Sequence, residues 1–511
     1  MKAQGQIHFP STSLFRNSVN FPSNCKTMIR SRTLIVLGLF ILLGCRPTGE
    51  SHQEMDTPNI LILLADDLGY GDLGCYGGIA HTPNLDRLAL EGIRFTDFYA
   101  AAPNCSPSRV GLLTGRSPSK VGMYNYLSDK HPMHLPGEEI TIAEVVRTKA
   151  YRTGHFGKWH VSCLPQDPEL NQPQPDEQGF EHSLGTANNA RPTHLNPNNF
   201  IRNGDSTGIL NGYSCDIVVQ EAINWLDTLS PADPFLMYVA FHEPHKIVAS
   251  PPDLTAKYAG YSKAEAEYFA SVENMDRAAG RLISELAKRG LEENTIILFA
   301  SDNGSYRNGS NGDLLGGKSF VYEGGIRVPG ILRWKGRIVA GQVINDPVGL
   351  VDVMQTICAL TGAEHPNHSE LDGVSWNPLL SHSSLEREKP LSWFFYRTSP
   401  EIAMRFGDYV MLGRDRDSTL HTHPLTAPDM DYIKTMDLED FELYNLKTDM
   451  KQEHNIDYRT VDMGAQYRRQ ITDRLKEIQQ VGPYWEDLPP ALGARKLKSE
   501  WRALRPKGFS N

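Results

Sequence analysis

The sequence predicts an α/β protein in which a large, mostly parallel sheet lies between layers of helices, followed by a smaller C-terminal α+β domain with an antiparallel sheet. Three observations lead to this prediction. Apolar runs of strand length alternate with helical stretches, as in α/β proteins with a parallel sheet. Each of these runs ends abruptly in polar residues. After about residue 383 the runs become short, alternating and separated by turn signals, which is typical of antiparallel strands.

The predicted parallel strands are three apolar runs, PNILILLA (58–65), PFLMYVAFHEPH (234–245) and NTIILFASDNG (294–304). The first is continuous enough to be buried on both faces of a sheet. Helical stretches at 216–229 and 266–290 separate the three runs. Because ligands of open parallel sheets bind beyond the carboxyl ends of the strands, the polar residues at those ends form the candidate site. We assign this N-terminal domain to residues 56–383.

The C-terminal domain is assigned to residues 384–511. Its predicted strands lie in the segments LSWFFYRT, IAMRFGDYVMLGR and DFELYNLKTD. A helix is predicted over GAQYRRQITDRLKEIQQ, which follows them. We expect this domain to pack on the first one.

Length and composition indicate a globular protein. The 511 residues are enough for roughly two folded units. The hydrophobic fraction of 40% and the charged fraction of 22% are ordinary for a soluble chain. The net charge of -10 and the absence of a long basic run argue against nucleic acid as a partner. An anionic substrate remains compatible, since a locally basic pocket can lie within an acidic protein.

The first 55 residues carry a targeting signal. The apolar run TLIVLGLFILL (33–43) is too short to span a bilayer and suits the core of a signal peptide. The ending LLGC resembles a bacterial lipobox, which implies cleavage before Cys45 and lipidation of its sulfur; a plain secretory signal is the alternative. We therefore predict a signal peptide over 1–45 and a linker over 46–55. Met28 is an alternative translation start. If translation begins there, residues 1–27 are not part of the protein.

This signal predicts an exported bacterial protein, periplasmic or displayed on the outer membrane or cell surface as a lipoprotein. Membrane contact is expected only through the lipid anchor.

Acidic residues follow two of the predicted strands. Asp66 and Asp67 end the first run, and Asp302 and Asn303 end the third. Three carboxylates placed together repel one another unless they are compensated. An oxygen-rich set of this kind suits a hard cation, Ca²⁺ or Mg²⁺, rather than zinc. The alternative is that each pair only caps the helix that follows.

Cysteine usage singles out Cys105. Beyond Cys25 and Cys45 in the targeting segment, five cysteines remain, an odd number that leaves at least one outside any disulfide in an exported protein. No CxxC or Cys/His spacing typical of zinc is present. Cys105 lies in NCSPSR (104–109), just before VGLLTGR. This stretch is either a turn whose serines cap a helix beginning in VGLLTGR, or it holds a cysteine that is chemically modified.

Basic residues also stand beside predicted turns and strand ends. Lys158 and His160 alternate in GKWH, so an extended backbone would point both side chains to one side. Lys318 follows two glycines, which let the backbone approach a ligand closely. Together with Arg109 and His242 they would form an anion pocket if they converge. Each one alone is typical of a solvated lysine or a structural histidine.

These motifs together resemble those of the sulfatases of the alkaline-phosphatase-like superfamily. In that family the signature C-x-P-S-R marks a cysteine that a dedicated enzyme oxidises to formylglycine. Here the signature is CSPSR (105–109), and VGLLTGR continues the longer pattern. Further motifs match in order: ADDLGYGDLGCYG, GKWH, FHEPH, SDNG, GGKSFVYEGGIRVP and FELYNLKTD. The resemblance covers the chain from about residue 56 onward.

The resemblance implies a role for each candidate residue. Ca²⁺, in preference to Mg²⁺, would be bound by Asp66, Asp67, Asp302, Asn303 and the formylglycine at position 105. Arg109 would hold the hydrated aldehyde, while Lys158 and Lys318 would bind the sulfate oxygens. His242, helped by Lys318, would protonate the leaving alcohol. His160 would be the base that later collapses the intermediate, and His245 would shape the substrate subsite.

The implied activity is hydrolysis of sulfate monoesters on carbohydrate, such as sulfated polysaccharide or glycosaminoglycan fragments. One hydroxyl of a formylglycine hydrate attacks sulfur, and the second lets the enzyme expel sulfate by re-forming the aldehyde. The implied partners are a sulfated carbohydrate and a formylglycine-generating maturation enzyme. Candidate sugar-binding residues lie in NNARPTHLNPNN (188–199) and at Arg307.

Two other functions remain open. A phosphatase or phosphodiesterase of the same superfamily would use zinc and a Ser or Thr nucleophile, whereas this chain has Cys105 and an all-oxygen metal set. A catalytically silent glycan-binding lipoprotein would retain the motifs without using them.

Overall fold

In the computed structural model, which describes residues 57–128, 130–381, 383–399, 401–416 and 424–490, the central feature is a ten-stranded mixed sheet. The strands in chain order are β1 (Asn59–Asp66), β2 (Ile93–Phe95), β3 (Phe98–Tyr99), β4 (Arg152–Lys158), β5 (His182–Thr186), β6 (Ile201–Arg202), β7 (Asp205–Ser206), β8 (Phe235–Pro244), β9 (Thr295–Ser301), β10 (Gly330–Trp334), β11 (Gln342–Ile344), β12 (Val348–Gly349), β13 (Ser392–Phe394), β14 (Ile402–Phe406), β15 (Tyr409–Arg414) and β16 (Asp440–Asn445).

The order across the large sheet is β11-β2-β10-β9-β1-β8-β4-β5-β6-β7. The five strands from β9 to β5 run parallel to one another. Antiparallel pairings join β10, β6 and β7 to the rest of the sheet. The predicted fold class, with its mostly parallel sheet, is therefore confirmed.

Helices cover both faces of this sheet. The helices of the described residues, including those that pack on the smaller sheet, are in chain order α1 (Pro83–Leu90), α2 (Cys105–Thr114), α3 (Ile142–Arg147), α4 (Ser214–Leu226), α5 (Pro252–Lys257), α6 (Lys263–Lys288), α7 (Glu323–Ile326), α8 (Val353–Thr361), α9 (Asn377–Leu380), α10 (Ala427–Thr435) and α11 (Gly464–Val481). The predicted helix at 266–290 begins three residues earlier, because Ser262 and Glu265 form a capping box.

Alternation along β1 explains the two layers. Successive side chains of a strand point to opposite faces. The side chains of Ile60, Ile62 and Leu64 join one apolar core with α2, α3 and α8. Those of Leu61, Leu63 and Ala65 join a second core with α1, α4 and α6. Burial on both faces accounts for the continuous apolar run in the sequence.

A separate four-stranded antiparallel sheet follows, in the order β13-β14-β15-β16. Helix α11 packs on it, with the Tyr467 ring stacked 4.4 Å from that of Phe406. Residues of this small sheet belong to the same apolar core as α2 and α3. The small sheet therefore packs on the face of the large sheet that also carries α2.

The predicted signal peptide, the lipidated Cys45 and the linker lie outside the described residues. Within the part of the chain that the structure covers, no helix is both long enough and apolar enough to traverse a lipid bilayer.

Candidate active site

The acidic residues meet at the carboxyl ends of β1 and β9. These strands are parallel neighbours, and their register pairs Ala65 with Ser301, so the residues that follow lie side by side. The backbone N–H of Asp67 donates to Oδ1 of Asp302 over 3.1 Å. The amide nitrogen of Asn303 donates to Oδ1 of Asp67 over 2.8 Å. Three buried carboxylates and one amide thus form a single cluster, here called the acidic cluster.

The acidic cluster contains oxygen atoms suited to a cation. Oδ1 of Asp66 and Oδ1 of Asn303 are buried and have no hydrogen-bond partner among the described residues. Burial, together with the neighbouring Asp66 carboxylate, raises the pKa of Asp302 to about 6. A hard divalent cation would be coordinated by both of these unpaired oxygens, and it would offset the repulsion between the carboxylates. The residues therefore fit a calcium-type site.

Cys105 is the first residue of α2 and lies against the acidic cluster. Its sulfur is 3.9 Å from Oδ1 of Asp67. The side chain of Asn104 caps the helix by accepting the Cys105 N–H over 3.0 Å. Burial raises the pKa of the Cys105 thiol to about 12, so the sulfur keeps its proton at neutral pH. A protonated thiol is a poor nucleophile, so the unmodified side chain is not suited to attack.

The helix boundary rules out one explanation of NCSPSR, in which its serines cap a helix that begins in VGLLTGR. Helix α2 begins at Cys105 itself rather than in VGLLTGR, so the serines of this stretch are not helix caps. Oγ of Ser106 instead accepts the N–H of Leu127 over 3.0 Å. Oγ of Ser108 accepts the N–H of Ala101 over 3.0 Å. Both serines tie the start of α2 to neighbouring segments.

Arg109 and Lys158 lie behind the acidic cluster and are fully buried. The guanidinium of Arg109 donates twice to Oδ2 of Asp302, at 3.0 and 2.8 Å, and once to the carbonyl of Lys158 at 2.8 Å. Nζ of Lys158 donates to Oδ2 of Asp66 over 2.7 Å. Burial alone would raise the pKa of Asp66, but Lys158 and other nearby positive charges hold it well below its usual range.

Lys318 lies in direct contact with both Asp67 and Cys105. Its Nζ is 2.6 and 2.8 Å from the two carboxylate oxygens of Asp67 and 3.2 Å from the sulfur of Cys105. Burial alone would lower the pKa of Lys318, but the Asp67 carboxylate raises it well above its ordinary value. Three cations thus balance the three carboxylates, and a bound divalent cation would leave the site positively charged. Such a site suits an anionic substrate.

Three histidines lie around the network that the acidic cluster forms with Arg109, Lys158 and Lys318, and they differ in burial. His242 lies within β8, is fully buried, and places Nε2 2.7 Å from the hydroxyl of Thr186. His160 follows β4 in a left-handed conformation, with Nε2 3.1 Å from the carbonyl of Leu127. His245 has a partly exposed side chain and places Nε2 3.5 Å from Oδ2 of Asp67.

Contacts therefore join most of the predicted site residues directly. Among the described residues, neither His160 nor His242 hydrogen-bonds to a charged group of the network. Burial lowers the pKa of His242 well below its ordinary value. Burial also lowers the pKa of His245, to about 4.

Thr186 is a residue that the sequence reasoning missed. It ends β5 and is the register partner of Lys158 in the neighbouring strand. Its hydroxyl donates to the carbonyl of Asn188 and lies against His242. The signal in the sequence that could have identified Thr186 is a fourth strand, in SLGTANN, that also ends in a polar residue.

The two candidate sugar-binding regions lie at different depths. In 188–199, the side-chain oxygens of Asn188 and Asn189 are buried and lack a hydrogen-bond partner among the described residues. Arg307 is exposed, has a φ of 73° and lies with Cζ 4.8 Å from the centre of the Tyr306 ring.

Comparisons with known proteins identify a matching family model, similar sequences and a similar structure. The family model described as Sulfatase matches residues 58–363. Arylsulfatase A of Homo sapiens is 35% identical over 387 residues, covering 69% of this chain and 74% of that protein. N-acetylgalactosamine-6-sulfatase of Rattus norvegicus is 32% identical, covering 75% and 76%. The crystal structure of Ps i-CgsB in complex with k-i-k-neocarrahexaose has a TM-score of 0.72 and 25% identity, covering 88% of this chain and 98% of that one.

Proposed function

The chain belongs to the sulfatase family and is a sulfuric ester hydrolase, and we propose that it removes sulfate from carbohydrates by a formylglycine- and calcium-dependent route. The observation that carries this proposal is the contact of Cys105 with Lys318 and with the acidic cluster. These groups come from four separate segments of the chain, and their convergence joins a nucleophile precursor, an anion-binding cation and a metal-type oxygen set.

Calcium would be held by Asp66, Asp67, Asp302 and Asn303. The orphaned oxygens of Asp66 and Asn303 support this assignment, because buried acceptors without donors are costly unless a cation satisfies them. When bound, the ion would withdraw electron density from the ester oxygens and so favour nucleophilic attack at sulfur.

Cys105 is the proposed precursor of the nucleophile. The CSPSR signature predicts its conversion to formylglycine, and because the thiol is protonated at neutral pH the unmodified side chain would be a weak nucleophile. Lys318 stays protonated and adjacent, so it would hold the sulfate group in place beside position 105. Lys158 would keep its predicted role of binding the sulfate oxygens, and Arg109 would keep its predicted role of holding the hydrated aldehyde, both from the buried side of the site.

For the leaving group, the geometry favours His245 over the predicted His242 as proton donor. The Nε2 atom of His242 is engaged with Thr186 in the protein interior. The His245 imidazole lies beside Asp67, and its side chain remains 11% exposed toward the solvent from which substrate arrives. A bound anionic sulfate would favour the protonated imidazolium, since an opposite charge raises a histidine pKa. The role of His160 as the later base remains as predicted.

The carbohydrate substrate class is supported by the names of similar proteins. One relative is named N-acetylgalactosamine-6-sulfatase, and one structural neighbour was solved in complex with k-i-k-neocarrahexaose. The polar stretch 188–199, close to His242, offers groups that could bind sugar hydroxyls. We also propose export, with lipidation at Cys45, on the basis of the apolar run at 33–43 and its LLGC ending.

The test is a substrate panel with the protein produced together with a formylglycine-generating enzyme. Release of sulfate from sulfated oligosaccharides is compared with release of phosphate from the matching phosphorylated sugars. We expect sulfate release that depends on Cys105 and on calcium. Faster phosphate release would favour the phosphatase alternative, and binding without release of either group would favour a silent glycan-binding protein.

A further inference from the structure

We propose that a hydrogen bond between Asn104 and Ser319 positions the sulfate-binding lysine against the nucleophile. Asn104 precedes the nucleophile precursor, Cys105. Ser319 follows Lys318. Both side chains are buried, so each is a positioning residue that acts through its neighbour in the chain. The inference rests on the proposed function, because it uses the roles proposed there for Cys105 and Lys318.

Two hydrogen bonds join the segments that carry these residues. Nδ2 of Asn104 donates to Oγ of Ser319 over 2.9 Å. The N–H of Ser319 donates to the carbonyl of Pro103 over 2.7 Å. Asn104 and Ser319 are 215 residues apart in the sequence. The two bonds therefore link distant parts of the chain at the point where the side chains of Cys105 and Lys318 meet.

The orientation of the Asn104 amide follows from its second contact. Its Oδ1 accepts the N–H of Cys105 over 3.0 Å and so caps α2. A backbone N–H can only donate, so the amide oxygen must face Cys105 and the NH₂ group is left to face Ser319. One side chain thus holds both the start of α2 and the segment that carries Lys318.

Ser319 adopts a backbone conformation that is costly for a serine. The N–H of Phe320 donates to the carbonyl of Gly317 over 3.0 Å, which closes a β-turn around Lys318 and Ser319. Ser319 is the third residue of this turn and has a φ of 76°. A positive φ at this position is typical of a type II turn and favours glycine. A strained residue persists only where surrounding contacts hold it.

The contacts of Ser319 explain why a serine occupies this position. Its N–H is bound by Pro103, its hydroxyl by Asn104, and its carbonyl accepts the hydroxyl of Thr398 from the segment after β13. A glycine would keep the two backbone contacts and lose only the one made by the hydroxyl. The serine therefore adds backbone strain in exchange for its link to Asn104. Such an exchange is expected where geometry serves activity rather than stability.

The link complements the salt bridge of Lys318. The Asp67 carboxylate fixes only the ammonium end of this long, flexible side chain. The Asn104–Ser319 contact fixes the backbone at its other end. Together they determine where the ammonium group stands, 3.2 Å from the sulfur of Cys105.

The experiment begins with three substitutions of Ser319 in protein matured by a formylglycine-generating enzyme. Hydrolysis of an aryl sulfate is measured, with rates corrected for the formylglycine content found by mass spectrometry. S319A and S319G both remove the hydroxyl and should lower kcat/KM by about tenfold or more, the effect expected of a small misplacement at a reacting centre. S319T keeps the hydroxyl and should retain more activity than either.

Melting temperatures of the same variants separate positioning from stability. S319G should melt above S319A, because glycine adopts a positive φ without strain. S319T should be less stable than S319G, since a branched side chain is strained at positive φ. Activity would then follow the hydroxyl, while stability would follow the freedom of the backbone. If activity instead follows the melting temperature across the three variants, Ser319 has only a structural role and the proposal is overturned.

A substitution of Asn104 tests the other side of the link. N104S keeps a side chain that can cap α2 but loses the NH₂ group that donates to Ser319. It should lower kcat/KM by about as much as S319A. The N104S/S319A double variant should be no less active than the weaker single variant, because both changes remove one shared contact. Additive losses would overturn the link.

Two matched controls lie away from the site. Thr153 has a buried hydroxyl that donates to the carbonyl of Gly179 over 2.7 Å, near the amino end of β4. T153A should lower the melting temperature and leave kcat/KM unchanged. Ala150 is exposed and has a φ of 60°. A150G should raise the melting temperature and also leave kcat/KM unchanged.

Binding of inorganic sulfate separates this proposal from the proposed function. Calorimetry compares the C105A and C105A/S319A proteins, so the result does not depend on turnover. We expect S319A to weaken sulfate binding severalfold; equal affinity in both proteins, or no measurable affinity in either, would overturn the positioning of Lys318. Absence of sulfate release by the wild-type protein would contradict the proposed function, while a sulfate affinity that depends on Ser319 would still support the positioning pair.

Discussion

The ammonium group of Lys318 lies 3.2 Å from the sulfur of Cys105, while that sulfur is fully buried and its thiol has a pKa raised by burial to about 12. The sulfur is also 3.9 Å from the Asp67 carboxylate, but burial keeps the thiol protonated at neutral pH. The unmodified side chain is therefore a weak nucleophile, and the proposed conversion to formylglycine would supply a more reactive one.

The first prediction concerns that conversion. In protein produced with a maturation enzyme, the tryptic peptide covering residues 95–109 should carry an aldehyde in place of the Cys105 thiol. The C105A variant should lose turnover by at least about 10³-fold, because removing a nucleophile eliminates the main reaction path. It should lose no more than about 1–2 kcal/mol of unfolding free energy, since only a small side chain changes.

Mass spectrometry of the same digest supplies the control. Cys358 is a free thiol in the structure and should remain one. A fully active preparation in which position 105 is still an unmodified cysteine would disprove the assignment.

The second prediction concerns the metal. Chelation should abolish turnover and lower the melting temperature, and calcium should reverse both effects. Calcium at roughly a hundred times its Kd adds about 2.7 kcal/mol to the unfolding free energy if it binds only the folded state. D302N should weaken this calcium-dependent stabilisation, because it removes one of the three carboxylates of the acidic cluster.

D449N is the matched control for D302N. Asp449 also lies near other metal-ligating side chains, Glu453 and His454, but those two are exposed. D449N should leave the calcium response unchanged. If D302N and D449N behave alike, the acidic cluster is not the calcium site.

The third prediction separates His245 from His242. H245Q should slow hydrolysis of esters with poor leaving groups, such as sugar alcohols, by about 10²-fold or more. It should have a much smaller effect on aryl sulfates whose leaving groups need no proton. H242Q should slow both substrate types about equally, since it acts through Thr186 on the buried side of the site. The opposite pattern would restore the proton-donor role that the sequence predicted for His242.

Much of this site followed from the sequence because parallel strands bring their ends together. Asp66 and Asp302 are 236 residues apart, yet both directly follow apolar runs whose register aligns Ala65 with Ser301. Any sequence that ends two central parallel strands in carboxylates places them at one edge. The fold class followed from the same alternation of strands and helices.

Other parts of the site depend on contacts that no local pattern encodes. The helix at Cys105 begins earlier than predicted, because Asn104 caps it. The sequence placed His242 at the end of a strand, but β8 extends to Pro244 and so includes His242. The ends of strands are weakly marked in the sequence. The packing of the small sheet on the α2 face of the large one is also a tertiary contact between distant segments, and no local pattern predicts it.

The fourth prediction concerns stability and pH, away from the active site. Asp276 in α6 is fully buried and accepts the N–H of Leu85 over 2.8 Å and the side-chain amide of Asn84 over 2.7 Å, both in α1. Despite these donors, burial raises the pKa of Asp276 from 3.8 to about 6. The folded state therefore holds this proton more tightly than the unfolded chain does.

The sign of the pH dependence follows from that difference. Below about pH 4 the carboxyl is protonated in both states and its contribution to stability is fully present. Between pH 4 and 6 the unfolded state releases the proton first, so the unfolding free energy falls, and above pH 6 the loss is complete. A pKa that rises from 3.8 to about 6 corresponds to about 3 kcal/mol. D276N cannot titrate, so relative to D276N the wild-type protein should lose about that amount between pH 4 and 7.

Chemical denaturation of both proteins at several pH values measures this change directly. D253N, which removes a carboxylate that is 70% exposed, gives the baseline for loss of one acidic group. The comparison uses the slope of the stability difference with pH rather than its absolute value, because replacing a carboxylate oxygen with an amide also alters the hydrogen bonds to α1. If the difference between wild type and D276N stays constant from pH 4 to 7, the ionised Asp276 carboxylate is stabilised in the folded protein as well as it is in water, and burial does not control its titration.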